Sequence, residues 1–414
     1  MLTRTLTFSP EQDETFFQEL PASAAVFLLR GDGEPYVSKT ANLRRRLQRL
    51  LGVQTEKAKR LNLRDRVREA EFTPVASDFE SQFLLYKLLR EKFPKTYNSR
   101  LRLRPAPLLK LHLENEYPRA SVTTRLGKLQ SVSNEAGQPR DAENSDLRRE
   151  DECGHVSNLY YGPFPSRAAA EKFANDALDF FKMRRCVDDL HPDPSFPGCI
   201  YSEMKMCLAL CFKGCSDGEY AVEAERVRSF FDSRGESLVR EFSQQREHAS
   251  AELAFEEAAA IHAKLEKLKP LLSQLPEIVQ RVDRLQAIVV QASAEPGAVN
   301  LFRFAGAILQ GPVPFSVEQS GEPQSMESRI QEKIAEFPSV QTTSGTARSE
   351  HLAILRRWYY RSHRAGEIFF ADTNGNWPLR RLVRGIGRVY RDEKEQEPIS
   401  FSATQALIPP SQPE

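Results

Sequence analysis

Five of the six cysteines of this 414-residue chain fall between Cys186 and Cys215, and no other feature so narrows what the chain can become. Cys186, Cys199, Cys207 and Cys211 are separated by twelve, seven and three residues, in a stretch rich in proline and poor in core-forming side chains. Thiolates are soft ligands, and four of them suit a structural zinc or an iron-sulfur cluster alike. Zinc sites commonly use two CxxC knuckles, which the sequence does not contain, so the spacing leans mildly towards a cluster. Either group would staple a segment unable to hold itself by packing. Small buried hydrophobes are the plain alternative. Cysteines clustered in this way are read as a metal site in a reducing compartment rather than as a disulfide framework. Cys215 is a reserve ligand, on the face of Cys207 and Cys211 if the segment is helical, and Cys153 reads as a free thiol.

The flanking regions have their own patterns. Val26 to Leu29 is apolar, Gly31-Asp32-Gly33 signals a turn, and Tyr36 to Ser38 resumes an extended run, which predicts a hairpin. A helix follows, with Thr40 as cap, Leu43, Leu47, Leu50 and Leu51 on one face, and Arg44, Arg45, Arg46 and Arg49 on the others. The whole chain carries a net charge of only +1, yet Lys39 to Arg68 holds eleven Lys or Arg against Glu56 and Asp65. Such a stretch suits a polyanion. Ser77-Asp78-Phe79-Glu80 opens another helix as a capping box, with the Glu80 carboxylate returning to the Ser77 N–H. Paired strands are expected over 108–124 and a mobile polar insertion over 127–156. Helices follow over 167–183 and across 219–270, broken near Ser233-Arg234-Gly235. The last third reads as strands at 285–290, 300–310 and 313–317 and helices at 326–337 and 348–364. Arg356, Arg357, Arg361, Arg364, Arg380, Arg381 and Arg384, with Trp358, Tyr359 and Tyr360 among them, offer a second cationic surface. Gly385-Ile386-Gly387 reads as a turn.

Three motifs carry a resemblance. Leu20-Pro21 before Ala25-Val26-Phe27, then Tyr36-Val37-Ser38-Lys39, then Asn42-Leu43 with Arg46, resemble the LPxxPGVY, YVGK and NLxxR runs of the GIY-YIG nuclease module in the UvrC excision-repair family. Tyr160 to Ser166 is similar to that family's YFGPYPS, and RRCVDD with PGCIYSEMKMCLALC to its RTC and PCLxYQIxxCxxPC. LAFEEAAAIHAKLEKL resembles the UVR motif. The likeness spans about Leu20 to Leu268.

The resemblance implies an α+β multidomain protein. Its parts would be a small mixed-sheet GIY-YIG module (18–104), a strand pair with mobile insertion and cysteine-rich region (105–218), a helical region with the UVR hairpin (219–283), a C-terminal α+β domain (284–392) and a disordered tail (393–414). It further implies a metal-dependent cut in one strand of damaged DNA. Glu80 would hold Mg²⁺ or Mn²⁺, Tyr36 would position the attacking water, and Lys39 and Arg46 would neutralise charge on the phosphate. Asn42, Arg44, Arg45 and Arg49 would face the DNA. Cys186, Cys199, Cys207 and Cys211 would hold a 4Fe-4S cluster, with zinc as the alternative. Leu253, Phe255, Glu256, Ala258, Ala259 and Ile261 would contact the UvrB helicase. Departures stand beside these matches: Phe27 and Leu50 replace tyrosines, Ser38 a glycine and His262 an arginine. Two functions are therefore expected, an endonuclease making one incision at UvrB-loaded sites or a non-cutting adaptor that binds DNA and UvrB. With no apolar segment long enough to span a bilayer and no apolar leader core, a soluble cytoplasmic protein is the default; residues 1–17 read as a short leader.

Overall fold

In a computed structural model describing residues 2–53, 61–127, 129, 157–318, 324–339 and 344–393, the chain builds antiparallel four-stranded sheets separated by helices. The expected insertion, apart from residues 127 and 129, and the tail beyond 393 lie outside the described residues, as does Cys153.

The first sheet comprises β1 (Arg4–Thr7), β2 (Ala25–Gly31), β3 (Tyr36–Thr40) and β4 (Val67–Pro74), in the order β1-β4-β2-β3. It is antiparallel throughout rather than mixed: β2 and β3 form a hairpin, and β4 enters between β1 and β2, running opposite to both. β2 is apolar at consecutive positions since both of its faces are covered. Ala25, Phe27 and Leu29 pack on α2 (Leu43–Leu51), together with Phe16 of α1 (Asp13–Glu19). Val26 and Leu28 pack on Leu84 and Leu88 of α3 (Asp78–Lys92). The expected leader is therefore part of the module. β1 pairs along the edge of β4, and Phe8 and Phe16 enter the core. Asn42, not Thr40, caps α2, with its side chain accepting from the Arg45 N–H.

After α4 (Tyr97–Leu101), a second sheet is assembled from β5 (Leu108–His112), β6 (Arg119–Thr123), β7 (Leu159–Gly162) and β8 (Gln280–Arg281), in the order β6-β5-β7-β8. Between β7 and β8 run α5 (Arg167–Leu178), α6 (Ile200–Glu203), α7 (Asp217–Asp232), α8 (Glu236–Ala251) and α9 (Phe255–Ser273). A reciprocal capping box between Ser216 and Glu219 starts α7, and α8 and α9 form an antiparallel pair.

The third sheet has the order β11-β10-β9-β12 and comprises β9 (Gln286–Ala292), β10 (Ala298–Ala305), β11 (Ile308–Ser316) and β12 (Glu367–Phe370). One face, with Ile288, Val290, Val299 and Leu301, is covered by α10 (Met326–Ala335) and α12 (Leu379–Tyr390). The other, with Ala287, Val289, Phe302 and Phe304, joins a core shared with α3 and with α11 (Gly345–Tyr359). Gly385 lies inside α12, not in a turn. A Cβ there would stand 2.2 Å from the Phe369 ring and 2.8 Å from Glu367 Oε2, so only glycine lets the helix lie this close to β12.

Thus α3 is buried from two sides. Leu84 and Leu88 face the first sheet, whereas Phe79, Phe83, Tyr86 and Leu89 face the core shared with the third.

Candidate functional site

The side chains expected to act together fall into two groups. Strand alternation turns Tyr36 and Lys39 to opposite faces of the first sheet. On the α2 face, Arg46 Nη2 donates to the Tyr36 hydroxyl at 2.9 Å, and the Phe27 ring centre lies 6.1 Å from that of Tyr36. Phe27 and Leu50, at the tyrosine positions of the family, are buried in the α2 core. On the α3 face, Lys39 Nζ contacts Asp78 Oδ1 at 2.5 Å and Ser81 Oγ at 3.2 Å. Arg361, beyond α11, reaches Asp78 Oδ2 at 2.5 Å. Burial works against the Asp78 anion, but the two cations outweigh it and hold its carboxyl below the ordinary value.

Glu80 occupies the first turn of α3 and is 5% exposed. Its N–H donates to Ser77 Oγ at 3.1 Å, but its carboxylate does not return to Ser77. Instead Oε1 accepts from Asn300 Nδ2 of β10 at 3.0 Å, and Oε2 has no hydrogen-bond partner among the described residues. Burial pushes this carboxyl up to about 7; the Ala76 backbone and Asn300 oppose the shift, and Glu295 adds to it. The arrangement does not fit a hydrated divalent cation. Mg²⁺ keeps several waters and needs near-octahedral oxygen ligands, whereas here one carboxylate oxygen is held by an amide donor and the group is sealed from solvent.

The cationic helix divides similarly. Asn42 is spent on capping and on the Ala22 carbonyl, and Arg44 on the carbonyls of Leu20 and Gln18. Arg45 and Arg49 are exposed. In the last third, Arg356 is bound to the Phe164 carbonyl and Arg364 lies over Trp358 and Tyr359, while Arg380, Arg381 and Arg384 of α12 are exposed.

The four cysteines expected to bind a metal group line one hollow. Cys186, Cys199, Cys207 and Cys211 share it with Arg184, Arg185, Tyr201 and Tyr220. Cys199 caps α6, and left-handed residues at Lys205 and Ala209 turn the chain between it and Cys211, where Cys207 and Cys211 rejoin it on the hollow. Burial, and the neighbouring thiols after it, push Cys207 and Cys211 up. Arg184 Nη1 lies 3.5 Å from Cys186 Sγ, and Arg184 Nε donates to the Tyr117 carbonyl, tying the hollow to the second sheet. No three His, Cys, Asp or Glu side chains among the described residues converge as ligands of a single ion. Four soft donors on one hollow, with two guanidinium groups beside them to offset thiolate charge, do fit a cluster. Cys215 lies off the hollow and packs against the helical core; between Cys207 and Cys215 the chain makes a single 3₁₀ turn, Leu210–Phe212, and no α-helix, so the expected shared face does not exist.

The UVR-like stretch is a helical hairpin. Leu253, at φ 59°, turns the chain between α8 and α9 and is 72% exposed; Phe255 is 64% exposed. Glu256 and Ala259 are exposed and Ala258 half-buried, whereas Ile261 is turned into the core with Leu265 and Leu268. Sequence reasoning passed over Asn300 and Glu350. The available signal was a lone polar residue in the apolar run Val299–Phe302.

No helix among the described residues is long and apolar enough to cross a membrane. Residues 132–230, which enclose the cysteine hollow, match the family described as UvrC/Cho excinuclease, middle domain. The UvrABC system protein C of Trichormus variabilis is 24% identical over 338 residues, covering 79% of this chain and 48% of that protein. Its namesake in Carboxydothermus hydrogenoformans is 27% identical, covering 69% and 42%, and that of Stenotrophomonas maltophilia 22%, covering 83% and 54%. The chain spans about half the length of these curated relatives. No solved structure matches.

Proposed function

The chain belongs to the UvrC family, and from that premise we propose that it serves nucleotide excision repair as a DNA-contacting adaptor whose nuclease-like module does not cut while its last domain is docked. The observation that carries this reading is the Glu80 carboxylate, buried and engaged by Asn300 where a metal-binding carboxylate would have to face water and phosphate. Arg45 and Arg49 supply cations for the DNA backbone, and the exposed Leu253 and Phe255 a docking point for a UvrB-type helicase. Cys186, Cys199, Cys207 and Cys211 would hold a 4Fe-4S cluster, with zinc as the alternative. Bound there, the group would supply a rigid cross-link and, if iron-sulfur, a redox centre. Arg184 and Arg185 orient and neutralise the thiolates around it.

A second reading, a GIY-YIG endonuclease using Mg²⁺ or Mn²⁺, is favoured by the Arg46–Tyr36 hydrogen bond. That bond holds a phenol oxygen beside a guanidinium, as the family's water-positioning and phosphate-binding groups would require. Strand nicking of a lesion-bearing duplex with UvrB and Mn²⁺, by anaerobically purified wild type and Glu80→Ala, separates the two. The adaptor predicts DNA and UvrB binding by both proteins and nicking by neither. Nicking that Glu80→Ala abolishes would establish the endonuclease.

A further inference from the structure

Covering the first turn of α3 is the work of a whole domain rather than of one side chain. Strand alternation along β10 places Asn300 on the same face as Phe302 and Phe304. Phe302 meets Phe79 edge-on at 5.1 Å, and Trp358 of α11 closes on the same ring at 5.0 Å. Further along α3, Glu350 accepts from the hydroxyls of Tyr86 at 2.8 Å and Tyr97 at 2.7 Å. The charged rim at Asp78 completes the contact. We propose that the C-terminal domain is an intramolecular cover for the nuclease-like module, in which Asn300 occupies the Glu80 carboxylate and any cation engaging Glu80 must first displace it. This deepens the adaptor reading by naming what closes the module.

The chemistry of the contact is that of a displaceable partner. A lysine or arginine at position 300 would make a full ion pair with the buried carboxylate, and truncating one side of such a pair is strongly destabilising. An amide donates one uncharged hydrogen bond of modest net worth and leaves Oε2 without a partner. The aromatic packing gives the cover its area, while the polar contact at Glu80 stays weak and exchangeable. The rim pair between Arg361 and Asp78 is half-exposed and open to screening by salt.

Hydrogen exchange of the full chain tests the cover without any DNA cleavage, so its failure is distinct from failure of the adaptor reading. Asn300→Asp sets two carboxylates face to face. It is expected to speed exchange across residues 76–90 by about tenfold or more while α2, whose leucines pack in a separate core, keeps its wild-type protection. Adding Glu80→Gln, which retains an acceptor oxygen and removes the repulsion, returns exchange to within about threefold of wild type. If Asn300→Asp is too poorly folded, Asn300→Ser loosens the same contact with a smaller gain. Unchanged exchange across 76–90 in the folded variant overturns the proposal. In a second arm Mn²⁺ alone is titrated into wild type and Glu80→Ala. Equal binding by both is expected of a covered carboxylate, and a Glu80-dependent Mn²⁺ site in the wild type overturns it.

Discussion

The cysteine hollow and the Glu80 pocket both gather ionisable donors, half-buried thiols in one and a buried carboxyl in the other, on opposite kinds of scaffold. The thiols sit on turns, aimed at one hollow by residues in left-handed conformation, with little packing of their own. Glu80 sits on a helix packed from both sides, and a neighbouring strand supplies its hydrogen-bond donor. Thiols gathered on one hollow by turns, with few protein groups to hold them in place, are suited to take up a bound group. A carboxylate with its donor provided by the fold is engaged from within. The difference separates a site that has donors to offer from one in which the protein has already supplied the partner.

Breaking the first half of the comparison should have the largest effect. Cys207→Ser is expected to lose the proposed cluster or zinc together with about 5 kcal/mol of stability or more, since a structural metal contributes on the order of 10 kcal/mol. Metal content and urea unfolding of anaerobic samples would measure both. Glu350→Ala attacks the second half by leaving the Tyr86 and Tyr97 hydroxyls without their acceptor, at a cost of about 3 kcal/mol in urea unfolding.

The Glu80 carboxyl sharpens the contrast through pH. Its folded value of about 7 stands above the ordinary 4.5, so the folded state holds the proton more tightly than the unfolded chain. The stability this contributes is fully present below pH 4.5 and is lost as pH rises through about 7. Glu80→Gln should therefore flatten the fall of the urea midpoint across that window, by a few kcal/mol at most. The smallest effect on stability belongs to Leu253→Asp. Exposed at the hairpin turn, this change should move unfolding by less than about 0.5 kcal/mol while abolishing capture of UvrB in a pull-down.

Much of this architecture is legible in the sequence wherever the cause is local. The apolar run Ala25–Leu29, the leucine face of α2 and the break at Ser233–Gly235 all follow from neighbours a few residues away, and each is found in the structure. The cysteine spacing predicts four thiols on one bound group; the four residues line one hollow, and no three among the described residues converge as ligands of a single ion. What could not be read depends on segments far apart in the chain. Arg4–Thr7 is too short to announce a strand and becomes one by pairing with β4. Glu350 resembles any polar residue on a helix until Tyr86 and Tyr97 arrive to bury it. Glu80 carries a capping pattern that the Ser77 side chain honours, while its carboxylate goes instead to a donor 220 residues later in the chain. Local patterns specify an element; only its partners specify which of its polar atoms remain available.

The double burial of α3 also bears on how this protein is made. Phe79 and Phe83 leave the ribosome roughly 220 residues before Phe302, which at about 5–20 residues per second leaves their outer face uncovered for about ten to forty-five seconds. During that interval the nascent N-terminal module presents a wet aromatic stripe, a surface that chaperones bind and that neighbouring nascent chains can trap. Synthesis therefore finishes the first domain only when the last one docks.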